Sequence, residues 1–239
     1  MLTTLLFTRH GETADNAVKR LSTRPPGPPL SDAGRAQARE LARSVADLDI
    51  TAVYSSPLRR ALETAAFVAE PRGLPVHAHD GLRELSVGEL EGRSDDAAFA
   101  HLDSVWAAWT RESRHDVTAG PGGENAHEVL GRSTAAVAEI VAAERGGTVL
   151  VMAHSGVLQV LVPALCANLA PDYGIENWLR NCQLVRVETD GTDPVGMTCR
   201  AWGPLTLPDP AAAPLVPERP APDAAPREGA ADAAAPEAR

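Results

Sequence analysis

Residues 148–156 read Thr148-Val149-Leu150-Val151-Met152-Ala153-His154-Ser155-Gly156, an apolar run that stops on a histidine, a serine and a glycine. A run of this length, apolar through its centre, predicts a strand buried on both faces. Leu158, Leu161 and Leu165 follow at helical spacing, so the segment predicts strand, polar step, helix. The same succession opens the chain, where residues 4–8 predict a short buried strand and Arg9-His10-Gly11 follows at once. Residues 52–54 predict another strand ending on Ser55-Ser56. Pro57 suits the first position of the next helix, which Leu58, Leu62 and Ala65 continue.

Working outward, residues 21–29 hold four prolines and a glycine and must be irregular. Ser31 is expected to cap a helix with Leu41, Val45 and Leu48 on one face. Residues 74–77 predict a short strand, and Gly81 to Gly92 a glycine-punctuated acidic loop. In residues 94–120, Leu102, Val105 and Trp109 have helical spacing, yet the segment is polar and closes on Gly120-Pro121-Gly122-Gly123. It is expected to be an insertion over the site rather than a core element, with Trp106 and Trp109 packing it. Asn125 can cap a long helix carrying Val129, Ala136, Val137, Ile140 and Val141, ended by Gly146-Gly147. Residues 184–188 and 197–202 predict closing strands. Strands alternating with helices imply a three-layer α/β/α fold with a mostly parallel sheet.

The chain has 239 residues, 44% of them hydrophobic and 4% aromatic, and a net charge of −10. That length suits one ordinary domain, and the acidic balance argues against the basic surface that nucleic acid selects. Residues 208–239 contain 8 prolines and 12 alanines, with only Leu215 and Val216 as larger aliphatics. Such a segment buries too little surface to offset its ordering entropy, so a folded domain over 1–207 and a disordered Pro/Ala-rich tail over 208–239 are expected. The first 207 residues carry 26 acidic and 19 basic side chains, a net of −7. No apolar run approaches the roughly 20 residues of a membrane span, and the N-terminus lacks a basic n-region, so a cytoplasmic location without membrane partners is expected. Cys166, Cys182 and Cys199 are odd in number and lack CxxC spacing, which suggests reduced, structural thiols.

Four polar clusters sit just after predicted strands: Arg9-His10, Ser55-Ser56 leading to Arg60, Arg83-Glu84, and His154. In an open parallel sheet, the crevice outside the carboxyl ends of the strands is where ligands bind, so these residues can meet there. Two arginines, two histidines and one carboxylate make a local positive centre on an acidic protein. It suits a small, multiply charged anion such as phosphate.

Arg9-His10-Gly11-Glu12-Thr13, followed by Asn16, resembles the signature of the histidine phosphatase superfamily, which includes the cofactor-dependent phosphoglycerate mutases. Later segments agree in order: Leu30-Ser31 with Gly34 and Gln37-Ala38, Ser56-Pro57-Leu58-Arg59-Arg60-Ala61 with Thr64-Ala65, and Leu82-Arg83-Glu84 with Gly88 and Glu91-Gly92. Pro121-Gly122-Gly123-Glu124, Ala153-His154-Ser155-Gly156 and Asn181-Cys182 complete a resemblance spanning roughly residues 2–203. It implies a phosphoglycerate mutase-like fold. It makes His10 the nucleophile that becomes phosphohistidine, with Arg9, Arg60 and His154 on the phosphate oxygens and Glu84 as proton donor to the leaving oxygen. Asn16, Ser22, Gly11 and Ser155 are the expected substrate-binding positions. Arg60, directly before the alanine of its motif, is the catalytic arginine, leaving Arg59 to pair with Glu63 along the helix. Glu89 and Glu91 share the loop with Glu84, and Thr23 could serve in place of Ser22. Gly123 and Glu124 either border the pocket or form an ordinary turn.

Other chemistries fit less well. Ala153 and Val157 stand where a hydrolase nucleophile elbow needs glycines, and no phosphate-cradling glycine loop follows a strand. His77 and His79 supply two ligands without a third, so no metal or cofactor is expected. The expected activity is that of a metal-independent phosphomonoesterase of histidine acid phosphatase type, acting on a small phosphorylated metabolite. The 70 residues from Glu84 to His154 are fewer than the resembling mutases carry there, which leaves a more open site that admits water. Mutase-type phosphoryl transfer and a non-catalytic phosphate-binding interaction module are the alternatives. A homodimer through an edge strand is expected by analogy alone. Substrate specificity is expected in residues 85–122 and around Trp178.

Overall fold

The computed structural model describes residues 1–191 and 196–207; the segment expected to form a disordered tail, 208–239, lies outside the described residues. In chain order the elements are β1 (Thr3–Arg9), α1 (Ala14–Ala17), α2 (Asp32–Ser44), β2 (Ile50–Ser55), α3 (Arg59–Ala69), β3 (Val76–Ala78), α4 (Asp96–Thr110), α5 (Ala126–Ala143), β4 (Thr148–Ala153), α6 (Ser155–Leu165), α7 (Tyr173–Glu176), β5 (Leu184–Thr189), β6 (Thr198–Trp202) and β7 (Leu205–Thr206). They build one seven-stranded sheet in the order β3-β2-β4-β1-β5-β6-β7. The first four strands in that order are parallel, and β5, β6 and β7 extend the sheet as an antiparallel meander.

Because strand side chains alternate, an apolar run on a central strand feeds two cores at once. Leu5 and Phe7 of β1, with Val149, Val151 and Ala153 of β4, join the larger core, to which α4, α5 and α6 contribute. Leu6, Leu150 and Met152 point the other way and pack with Leu41 and Val45, and with Ala61, Ala65 and Val68 of α3. The result is three layers, with β2, β4 and β1 side by side at the centre. Their carboxyl ends deliver Ser55-Ser56, His154 and Arg9-His10 to one edge of the sheet.

Local signals set the starts of the helices better than their ends. Ser31 caps α2 through its side chain, accepting from the Gly34 N–H at 3.0 Å. Asn125 caps α5 within a reciprocal capping box with Glu128. Leu48, expected on the buried face of α2, is 39% exposed because the helix stops at Ser44. Pro57 lies outside α3, since Ser56 Oγ accepts the Leu58 N–H and the Arg59 N–H bonds Pro26 O, turning the chain before the helix begins. The third strand begins at Val76 rather than residue 74, with His77 stacked on Tyr54 at 5.1 Å.

The main correction concerns residues 94–120. Ala98, Leu102, Val105, Ala108 and Trp109 of α4 are part of the larger core, so the segment is a core helix as well as a wall of the site. Its polar residues misled the periodicity because they occupy a second stripe, which lines a pocket. Trp106 and Trp109 do pack, edge to face at 5.3 Å, and Trp106 also reaches the pocket. Among the described residues, no helix is long and apolar enough to cross a membrane.

Candidate active site

His10 follows β1, and three bonds fix its surroundings. Its backbone N–H donates to Ala153 O at 3.1 Å, its carbonyl accepts from Asn181 Nδ2 at 2.8 Å, and the Gly11 N–H donates to Thr64 Oγ1 at 3.0 Å. Gly34 lets the start of α2 close against this loop: a Cβ there would lie 2.0 Å from Glu12 O. The loop that carries the ring is therefore held by β4, α3 and the segment before β5 together.

His10 Nδ1 lies 2.7 Å from Gly11 O. A carbonyl only accepts, so Nδ1 carries the proton and the Nε2 lone pair faces the pocket. Arg60 Nε donates to that lone pair at 2.9 Å. Burial, then the Arg60 and Arg9 charges, hold the His10 imidazole well below its usual 6.5, against the opposing bond to Gly11. His154 is held down likewise, by burial first and then by Arg60, His10 and Arg9.

His154 lies in a second rank. Its Nδ1 accepts from the Arg60 guanidinium at 3.1 Å, and its Nε2–H donates to Ser56 Oγ at 2.7 Å. The ring is wholly buried, 5.0 Å from that of His10, and is not among the pocket-lining residues. It was expected on the phosphate oxygens; here its Nδ1 faces the Arg60 guanidinium. Gly11 is likewise buried behind the pocket and acts through Thr64 and the His10 ring.

Arg9 and Arg60 both line the pocket. Arg9 donates to Leu179 O at 2.9 Å, yet its Nε and the Nη1 of Arg60 are buried without a protein partner. An orphaned buried donor costs about 1–3 kcal/mol, which an arriving anion can offset. Burial lowers Arg60 to about 10, with Glu84 and Glu91 opposing the fall, so it stays cationic at neutral pH. Arg59 pairs with Glu63 at 2.7 Å.

Glu84 reaches the pocket at the N-terminus of α6. Its carboxylate accepts the N–H groups of Gly156 at 3.1 Å and Val157 at 2.9 Å. Glycine at 156 leaves room for this approach: a Cβ would sit 2.7 Å from Glu84 Oε1 and 2.6 Å from Leu85 Cδ2, so those side chains would have to move. Gly156→Ala is expected to cost about 1–3 kcal/mol of stability and to lower kcat about 10-fold by displacing the carboxylate. Urea unfolding and steady-state kinetics check both effects. The rival acids have other work. Glu91 clamps the Thr23 N–H and hydroxyl at 2.9 and 2.7 Å, and Glu89 is exposed and does not line the pocket. Glu124 takes Arg132 at 2.8 Å and Arg83 at 3.0 Å. Thr23's hydroxyl is thus committed, while Ser22 faces the pocket along with Asn16 and Ser155. Gly123 and Glu124 do not line it and form a turn.

Sequence reasoning did not find Arg132, which bonds the carbonyls of Gly81, Arg83 and Glu84 and so fixes the Glu84 loop. Nor did it find the roles of Lys19, Arg20, Asp96, Phe99 and Asp103 as pocket lining. His79 is occupied by Glu139 at 3.1 Å and by the Gly81 N–H. The three cysteines are free thiols, and burial pushes Cys182, the one beside Arg9, up to about 12 despite that arginine.

The depressed imidazoles carry a pH dependence. Unfolded, each takes a proton near pH 6.5; folded, each stays neutral well below that. Stability is therefore full above about pH 6.5 and falls on acidification, by up to about 1.4 kcal/mol per pH unit for each histidine. Imidazole ¹⁵N NMR should show both rings neutral at pH 6, and denaturant titrations should give the slope, reduced in His10→Ala.

The sequence profile of the histidine phosphatase superfamily (branch 1) matches residues 5–200. The probable phosphoglycerate mutase GpmB of Salmonella choleraesuis (strain SC-B67) is 31% identical over 188 residues, covering 75% of this chain and 82% of its own. Among solved structures, the fold is similar to mycobacterial hydrolase 1, with a TM-score of 0.73 at 26% identity over 85% of this chain and 99% of that one. It is also similar to a mycobacterial glucosyl-3-phosphoglycerate phosphatase, with a TM-score of 0.71 at 27% identity over 84% and 98%. With the profile spanning every strand end that carries the site, the chain belongs to the histidine phosphatase superfamily.

Proposed function

We propose that the protein is a metal-independent phosphomonoesterase that hydrolyses a small phosphorylated metabolite through a phosphohistidine on His10. The observation that carries this reading is the neutral His10, its Nε2 lone pair aimed at a pocket containing two guanidinium groups with unpartnered buried N–H donors. A phosphoryl group entering there takes over the Arg60 donors, which frees Nε2 to attack phosphorus in line. The bond from phosphorus to the ester oxygen breaks, and Glu84 supplies the proton that the departing alcohol needs. Water then attacks the phosphohistidine, Glu84 takes its proton, and inorganic phosphate leaves. Arg9 and Arg60 meet the charge that a metal meets in other phosphoryl-transfer sites, so positioning and electrostatics do the catalysis.

Solved neighbours include proteins described as α-ribazole phosphatase and glucosyl-3-phosphoglycerate phosphatase, which supports the hydrolytic reading. Mutase activity is the second reading, favoured by the identity to the probable phosphoglycerate mutase. Both share the phosphohistidine and differ in whether water or a second hydroxyl takes the phosphoryl group. Chelator-treated protein given ¹⁸O-water should release phosphate carrying the label. Transfer to an added phosphoglycerate, with no labelled phosphate, would favour the mutase; no turnover of any monoester would favour a binding module. A cytoplasmic location and a homodimer through a sheet edge complete the proposal.

A further inference from the structure

The pocket of about 550 Å³ is far larger than a phosphoryl group requires, and its outer part has a composition that the phosphate chemistry does not use. One wall is α4. Asp96, Phe99, Asp103 and Trp106 recur at steps of three, four and three residues, so they form one stripe on the helix, and all four line the pocket. The stripe alternates carboxylate, ring, carboxylate, ring. Trp178 lines the same pocket and is 51% exposed, so its indole is open to a ligand there.

Facing chemistry comes from the turn after α1. Lys19, the chain's only lysine, has a left-handed backbone, φ 52°, held by its N–H to Asn16 O and by the Arg20 N–H to Asp15 O. That conformation is uncommon for a side chain with a Cβ, and here it leaves Lys19 lining the pocket. Arg20, also lining it, leans on Asp15 at 3.7 Å. Among the described residues, Lys19, Asp96 and Asp103 have no ion-pair partner.

The mouth therefore offers two cations, one of them engaged by Asp15, two carboxylates and three aromatic faces. A hydroxyl both donates and accepts: it gives its proton to a carboxylate and takes one from an ammonium or guanidinium. An aromatic face covers the C–H face of a ring. A single charge on the alcohol, of either sign, would pair with one half of this set and be opposed by the other half, whereas a hydroxylated ring bonds to both.

We propose that Asp96 and Asp103, with Trp178, set specificity for the monophosphate ester of an uncharged, multiply hydroxylated ring, a sugar or a nucleoside. This rests on the phosphatase reading above and names the substrate class of that site. The test compares kcat/KM for glucose 6-phosphate, a nucleoside 5′-monophosphate, 3-phosphoglycerate, phosphocholine and 4-nitrophenyl phosphate. At least one of the two hydroxylated-ring esters should exceed both charged-alcohol esters by about 10-fold or more, and the better of them identifies sugar or nucleoside. Asp103→Asn and Asp96→Asn should each raise KM for that ester about 10-fold relative to 4-nitrophenyl phosphate, with the change in KM rather than kcat, and should narrow the disadvantage of 3-phosphoglycerate. Trp178→Ala should lower the same specificity ratio. Preference for 3-phosphoglycerate or phosphocholine, or variants that shift every ester equally, would overturn the proposal while turnover through His10 left the phosphatase reading standing. No turnover of any ester would overturn both.

Discussion

His10→Ala is expected to lower kcat by at least about 10⁴-fold on every phosphomonoester the native protein turns over, with the fold intact. Among the described residues lining the pocket, His10 is the one imidazole: its Nδ1 proton is committed to Gly11 O and its cationic form is disfavoured by burial and two arginines. No neighbour can take its place. His154 lies behind Arg60 with both ring nitrogens engaged, and burial keeps the Cys182 thiol protonated. The backbone bonds that hold this loop, from Thr64, Asn181 and Ala153, do not involve the His10 ring, so the substitution should leave circular dichroism and the neighbouring site intact. Residual activity near the native level would remove His10 as nucleophile.

Arg60→Lys is expected to lower kcat/KM by about 10³-fold, nearly as much as Arg60→Met. The guanidinium makes two directed bonds, to His10 Nε2 and His154 Nδ1, and still presents a free Nη1. An ammonium keeps the charge and loses the planar fork that spans those positions, and one misplaced donor to a developing oxyanion costs roughly 10²–10³-fold. Stability should move differently. Arg60 is 3% exposed, and its partners are neutral rings rather than a paired carboxylate. Removing a buried cation so placed relieves its desolvation, so the Tm of Arg60→Met should not fall. A clear fall in the Tm of Arg60→Met would mean that the arginine is structural.

Much of this site was legible in the sequence because its parts are local. Arg9 is the last residue of β1, and His10, Arg60 and His154 sit one to five residues after β1, β2 and β4, whose apolar runs are unmistakable; a parallel sheet places such strand ends on one edge. The resemblance then assigned roles to Arg9, His10, Arg60, Glu84 and His154. What could not be read is what depends on tertiary register. Nothing in the local sequence shows that Arg132 reaches across to Gly81, Arg83 and Glu84, or that His154 stands behind Arg60 rather than beside it. The α4 stripe was missed for a related reason: a helix with a core face and a ligand face has a blurred periodicity and reads as a polar insertion. Lys19 carries no motif; its meaning comes from a left-handed turn that places the only lysine at a pocket mouth.

The central claim is a covalent intermediate on one nitrogen. Native protein mixed with 4-nitrophenyl phosphate, quenched in alkali within the first turnovers and digested, should yield one phosphopeptide by mass spectrometry, phosphorylated at His10. The modification should be lost in acid, as a phosphoramidate is, and should be missing in His10→Ala. A phosphoryl group on any other residue, or burst turnover with no phosphopeptide in alkali, would contradict the account.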